Sequence, residues 1–172
     1  MDAIDFAKAL DINIAIVGGG ESYMVADLLK ENNIPVILAK TQRQPEHQDL
    51  DIDMPYKTPA LLHKAGVMFC FSENGAWEQR TLPFQAGQAV SYGLDYKAGI
   101  QALTLDAAKI LGIDKTVGSL ENGKDATLIL VAGDVLDMRT CKVESAFIRG
   151  KEIDLDNKQK ALYRKFQAKY EE

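Results

Sequence analysis

Apolar positions along the first half of the chain alternate between short runs and helical stripes. Residues 2–10 set Ile4, Phe6, Ala7 and Leu10 on one side of a helix. From Asp11 to Val17 the chain is short, apolar and rich in β-branched residues, which predicts a buried strand ended by Gly18-Gly19-Gly20. Glu21-Ser22 then opens a helix carrying Tyr23, Met24, Val25, Leu28 and Leu29, and Asn32-Asn33 stops it. Ile34 to Ala39 reads as a second buried strand, with Pro35 near its start, where a missing N–H is tolerated. Residues 40–56 are polar and proline-bearing, a loop long enough to be functional or mobile. Thr58-Pro59 predicts the next helix, threonine as cap and proline at its first position, running to Gly66. Val67 to Phe71 is a third buried strand, closed by Ser72-Glu73-Asn74-Gly75. Strand and helix thus alternate at roughly 30 residues, the length of a βαβ unit. The expected fold class is α/β, with a parallel sheet and right-handed crossovers.

The second half changes period. Helices are expected over 82–93, 95–103 and 105–111, with Thr104 as a cap and Gly112 as a stop. Beyond Gly118 short strands follow at 125–131 and 142–149, with another around 115–120. Asn122-Gly123 and Arg149-Gly150-Lys151 read as tight turns. A last helix, 156–170, has Leu162, Tyr163, Phe166 and Tyr170 on one side. Lys158, Lys160, Arg164, Lys165 and Lys169 fill much of the rest, read as a solvated basic face rather than an anion-binding surface. Three parallel strands that are apolar on both faces expect neighbours at each edge and cover on each side. The pattern therefore points to further strands upstream of Asp2, and to self-association through open edges.

Composition narrows the partners. The 172 residues suffice for one domain or a domain with an appendage, and 47% hydrophobic with 26% charged residues provides a core. A net charge of −5 argues against nucleic acid, whose phosphates demand a basic surface. No apolar run reaches the ~20 residues of a membrane span, and no basic start with an apolar run marks a secretory signal. Cys70 and Cys141, far apart in apolar settings, read as free thiols.

In a parallel α/β sheet the chemistry gathers at the C-terminal ends of the strands. That nominates Gly18 and Gly19, Lys40, and Ser72 as substrate-binding candidates. A glycine-rich turn before a helix can cradle phosphate, so a phosphate-ligand module using Gly18–Gly20 is one reading. The stretch lacks a dinucleotide or P-loop spacing, and a tight strand-to-helix turn accounts for it. His47 lies in the long loop with Glu46, Asp49, Asp51 and Asp53, a solvated acidic segment placed to cover a substrate. His63, on the crossover helix, is expected to be structural, and Trp77 to pack in the core or loop rather than line a pocket mouth. A hydrolytic zinc site needs three or more protein ligands, which two histidines cannot supply. No metal ligand is nominated.

Two stretches carry a family resemblance: Thr104-Leu105-Asp106-Ala107-Ala108-Lys109-Ile110-Leu111-Gly112, and Gly118 to Val131 closed by Gly133-Asp134. Together they resemble the C-terminal end of the amidohydrolase superfamily, near its imidazolonepropionase-like and cyclic-dipeptidase-like branch. The resemblance implies the C-terminal portion of a (β/α)8 TIM-like barrel over residues 1–113, with about three parallel strands and their helices. It implies part of a small β-sandwich over 114–154, and leaves 155–172 as a C-terminal helix outside the usual pattern. The implied chemistry is metal-dependent hydrolysis of a non-peptide C–N bond, as in a cyclic amide, or of a dipeptide. Zinc or another divalent metal would be held by a parent protein acting on a small-molecule substrate. The family's His-x-His pair, bridging carboxylated lysine and further histidine come from earlier strands and have no counterpart here. Where many members place a histidine after the sixth strand, Val17-Gly18-Gly19 has none. Asn74 falls where the family carries its eighth-strand aspartate, and an amide cannot act as a base. Glu73 could replace it only if the register shifts by one, which on a strand turns the side chain to the other face. The expectation is a chain inactive alone, its partner the missing N-terminal barrel half. A non-catalytic homologue binding a small ligand or partner is the alternative.

Overall fold

In a computed structural model that describes residues 2–170, the three predicted strands pair in the parallel manner their spacing demands. β1 (Ile16–Gly18), β2 (Val36–Leu38) and β3 (Phe69–Phe71) lie in the order β1-β2-β3. Ile16 is registered with Val36 and Val36 with Phe69; Val17, Ile37 and Cys70 form the next row, Gly18, Leu38 and Phe71 the last. Strand alternation sends the outer rows to one face. There Val36, Leu38, Phe69 and Phe71 are buried with Leu29, Leu62, Ala86 and Ala89. Those partners come from α2 (Ala26–Glu31), α3 (Met54–Ala65) and α4 (Leu82–Ser91). The middle row faces the other way. Cys70 is buried there, but Val17 is 71% exposed, so β1 is not covered on both sides as its sequence suggests.

α1 (Asp2–Leu10) precedes β1 and buries Ile4 and Ala7, whereas Phe6 and Leu10 are exposed. β1 starts at Ile16, later than its apolar run, and the segment after the glycines begins as a 3-10 turn, Ser22–Val25, before α2. The start of α3 is a correction. The helix begins a full turn before Thr58, with Asp53 at its N-cap and Pro55 in its first turn. Pro59 therefore lies inside it, and buried Thr58 donates its hydroxyl to the Met54 carbonyl (3.0 Å) and the Gly20 carbonyl (3.3 Å). Both prolines tolerate a helix start, and the upstream one is used.

A 3-10 turn (Glu78–Thr81) leads into α4, followed by α5 (Tyr96–Leu103) and α6 (Leu105–Ile110). Asp95 caps α5 by accepting the Ala98 N–H at 3.0 Å. Thr104 does not cap α6 with its side chain, because its hydroxyl donates backward to the Ile100 carbonyl (2.8 Å). The strand expected around 115–120 is replaced by turns, with the Thr116 N–H on the Ile113 carbonyl and Gly118 packed against Ala108.

A second, antiparallel sheet follows: β4 (Leu128–Ala132), β5 (Lys142–Ile148) and β6 (Lys151–Glu152), with an irregularity at Leu130/Val131. Arg149 and Gly150 both adopt positive φ (51° and 75°), as a two-residue hairpin turn of matching twist requires. α7 (Lys158–Tyr170) follows, with no buried residue.

Both cysteines are free, Cys70 buried and Cys141 half-buried. Burial pushes the Cys70 thiol above its ordinary value. A thiol-alkylating reagent at neutral pH is therefore expected to label Cys141 before Cys70, as read by time-resolved mass spectrometry. Equal rates would contradict the cover over β3.

Candidate functional site

The C-terminal ends of the parallel strands converge on two clusters. At the end of β1, Gly18 and Gly19 adopt positive φ (99° and 54°), which glycine alone takes readily. A Cβ on Gly19 would stand 2.6 Å from Val36 Cγ1. The buried Ser22 hydroxyl donates to the Gly19 carbonyl at 2.6 Å, and Thr58 holds the Gly20 carbonyl from α3. The amides of Ser22 and Met24 already bond the carbonyls of Gly19 and Glu21. The glycines serve the turn, and those two donors are not aimed outward at a ligand.

The segment after β2 lies against this turn. Arg43 packs its guanidinium where a side chain on Gly20 would stand, and pairs with Glu46 at 2.8 Å. His47 Nε2 lies 3.4 Å from Glu21 Oε1 and is 62% exposed. A hollow of about 10 Å³, room for one water, is lined by Gly18, Gly20, Lys40, Thr41, Arg43 and Thr58. Gly18, Lys40 and the His47 loop are thus brought to one rim.

The second cluster ties β2 to β3. Gln85, on α4 and 0% exposed, accepts the Thr41 N–H at 2.8 Å and donates to Glu73 Oε2 at 2.7 Å. Glu73 Oε1 in turn accepts the Asn74 N–H at 3.2 Å. The alternation of β3 carries on past Phe71, since the Ser72 N–H bonds the Leu38 carbonyl. Glu73 accordingly faces the helical layer, engaged by Gln85, while Asn74 is exposed. The Ser72 hydroxyl donates to the Leu38 carbonyl at 2.8 Å. Gln85 was not nominated from the sequence. Its signal there is a polar residue on the apolar stripe made by Leu82, Ala86 and Ala89.

Two residues stand apart. His63 is exposed in the last turn of α3, at the opposite end of the sheet. Trp77 is 69% exposed beyond β3, with the Arg80 guanidinium 4.4 Å over its ring. A concavity of about 1,100 Å³ also opens at the N-terminal strand ends, bordered by Ile4, Asn13, Pro35, Met68 and Lys109. Its size does not make it the site. Lys8 and Lys30 on its rim occupy the last turns of α1 and α2, where cations complement the helix dipole. Among the described residues no group of three or more His, Cys, Asp or Glu is placed to hold a metal ion. The side chains at the strand ends therefore do not fit a hydrolytic zinc centre.

Comparison with known proteins places this arrangement. The profile of the Amidohydrolase family matches residues 11–153. Amidohydrolase tasK of Hapsidospora irregularis is 33% identical over 135 residues, covering 70% of this chain and 14% of that protein. The crystal structure of an amidohydrolase from Thermotoga maritima MSB8 superposes with a TM-score of 0.77 at 33% identity, over 88% of this chain and 39% of that one. A prolidase complexed with N-methylphosphonate-L-proline has the same fold at 19% identity and a TM-score of 0.65, over 89% of this chain and 43% of the other. The chain spans less than half the length of these relatives, whose family is generally metal-dependent. The parallel strand pairing and the match over residues 11–153 together establish that the chain belongs to the amidohydrolase family.

Proposed function

We propose that this chain supplies the C-terminal part of a metal-dependent amidohydrolase acting on a C–N bond of a cyclic amide or dipeptide. Residues 1–113 contribute late strands and helices of a (β/α)8 barrel, 114–154 part of a small β-sandwich, and 155–172 an added helix. The observation that carries the reading is the fit of 88% of this chain onto 39% of a solved amidohydrolase at 33% identity. In this reading the metal ligands belong to earlier strands of a longer polypeptide. The present strand ends shape the substrate rim: Lys40 and Arg43 offer positive charge, the His47 loop covers it, and Asn74 lies exposed past the end of β3. Glu73 is held by Gln85 away from that rim and is not its base.

The 172-residue chain is accordingly expected to bind no catalytic metal and to hydrolyse neither Xaa-Pro dipeptides nor cyclic dipeptides. An in-frame product extended upstream through a His-x-His segment is expected to do both, measured by metal analysis and product release. An extended product that is metal-free and inert would replace this reading with the second one, a non-catalytic homologue that binds a small ligand. That alternative is favoured by an amide at Asn74 and a turn without histidine after β1.

A further inference from the structure

α7 is a 13-residue helix with no buried residue. Helices of that length are marginal in water without packing. Leu162, Phe166 and Tyr170 recur at intervals of four and Tyr163 adjoins them, so one side is continuously apolar and exposed. Lys165 and Lys169 flank that stripe. The helix holds five of the chain's 20 Lys and Arg and none of its 25 Asp and Glu.

The complementary surface lies on the same chain. The 3-10 turn Ser22–Val25 packs on α3 and exposes Met24 and Val25. Ile52, just before α3, is 77% exposed. Glu21 directly precedes the turn, Asp51 directly precedes Ile52, and Asp49 lies two residues before Asp51. His47 Nε2 lies 3.4 Å from Glu21 Oε1, which brings the segment leading to Asp49 up to the turn; burial first, then the charges of Glu21, Asp51 and Asp49, hold the Tyr23 hydroxyl above its ordinary value. Lys57 neutralises Asp53 at 2.8 Å and reaches Asp51 only at 3.9 Å; Asp49 forms no ion pair among the described residues. Exposed apolar side chains thus stand on a turn and a helix start whose neighbouring segment carries more negative than positive charge.

We infer that α7 of one copy docks on the Met24–Val25–Ile52 patch of a second copy, its Lys165 and Lys169 facing the partner's acidic rim. An apolar stripe with cationic borders meets an apolar patch with anionic borders, which gives both attraction and register. An anionic bilayer fits less well: it would draw in the helix and repel the rest of the chain, which carries all 25 acids and the remaining 15 of the 20 bases. The docked helix would lie over the rim that carries Lys40 and His47. The inference does not depend on the proposed reaction.

Sedimentation equilibrium of the 172-residue chain is expected to show a concentration-dependent dimer that weakens as salt rises. K165E/K169E and, separately, D49K/D51K should each weaken it by about tenfold or more with circular dichroism unchanged, and the four changes combined should restore it to within about threefold. Pairing through the open edge of β1 would be indifferent to these charges. A chain monomeric throughout, a dimer insensitive to either pair, or failure of the combined variant to recover would each overturn the inference. So would co-sedimentation with phosphatidylserine vesicles by a chain that does not self-associate.

Discussion

Replacing Leu136 with alanine is expected to cost about 2–5 kcal/mol of stability, a core-sized loss from a loop residue. Leu136 sits in the connection between β4 and β5, outside any strand, yet it is 5% exposed and packs in the core with Ala86, Ala89, Leu94 and Ala102. Its socket is cut from two glycines. A Cβ on Gly99 would stand 3.5 Å from Leu136 Cδ1, and a Cβ on Gly87 would overlap the Leu136 carbonyl oxygen. Asp134 holds the plug in register, its Oδ1 accepting the Leu136 N–H at 2.9 Å and the Tyr96 hydroxyl at 2.8 Å. That bond also raises the Tyr96 hydroxyl above its ordinary value. The leucine thus joins the antiparallel sheet to the helices that cover the parallel one. Truncation leaves a cavity and loosens the joint at once. Urea unfolding followed by circular dichroism gives the stability, and hydrogen exchange should show amides of β4 and β5 losing protection before those of β2 and β3. Gly87→Ala, which forces the plug outward, should cost about 1–3 kcal/mol in the same assay. A loss below about 1 kcal/mol for Leu136→Ala would mean that the loop merely rests on the helices.

This joint shows where reading the chain by pattern stops. The three parallel strands are legible because β-branched and aromatic runs are bounded by glycine or asparagine, and the hairpin is legible because Arg149-Gly150 supplies two positive φ angles. The helix before β3 is legible as a helix but not in its start. Thr58-Pro59 and Asp53-Met54-Pro55 carry equivalent local signals, and Thr58's choice rests on a bond to Gly20, 38 residues away. The turns at 113–118 escape for a similar reason, since Gly118 is seated by contact with Ala108 and Leu105. Leu136 reads as one of several apolar residues in a loop with Val135 and Met138, because nothing local says that Gly87 and Gly99 open a socket for it. At the candidate site, the absence of histidine after β1 is visible in composition. The opposite orientations of Glu73 and Asn74 follow from the period of a strand. The amide that fixes Glu73 does not, because its partners lie 12 and 44 residues away.

Gln85→Leu is the second large expected effect, a loss of about 1–3 kcal/mol. Leucine nearly matches the volume and suits the apolar stripe of α4, so the cost isolates the hydrogen bonds. The Thr41 N–H, in a residue 3% exposed, loses its acceptor, and Glu73 loses its donor. Both sit where β2 and β3 end, so the damage should appear as faster exchange at Thr41 and Asn74 while Val36 and Phe69 remain protected. Gln85→Glu tests the direction of the amide. The new carboxylate can still accept from Thr41, but it meets Glu73 Oε2 across the 2.7 Å now spanned by an N–H. Two carboxyls at that distance share a proton most favourably, so the folded pair titrates higher than the unfolded one. Stability of this variant should therefore be retained at acid pH and fall as pH rises through and above the carboxylate range. Adding Glu73→Gln to Gln85→Glu restores an amide–carboxylate bond with donor and acceptor exchanged. The double variant should regain most of the loss and flatten the pH profile, as measured by urea midpoints across pH. If the two single changes simply add, Gln85 is a buried packing residue, and the orientation of Glu73 has another cause.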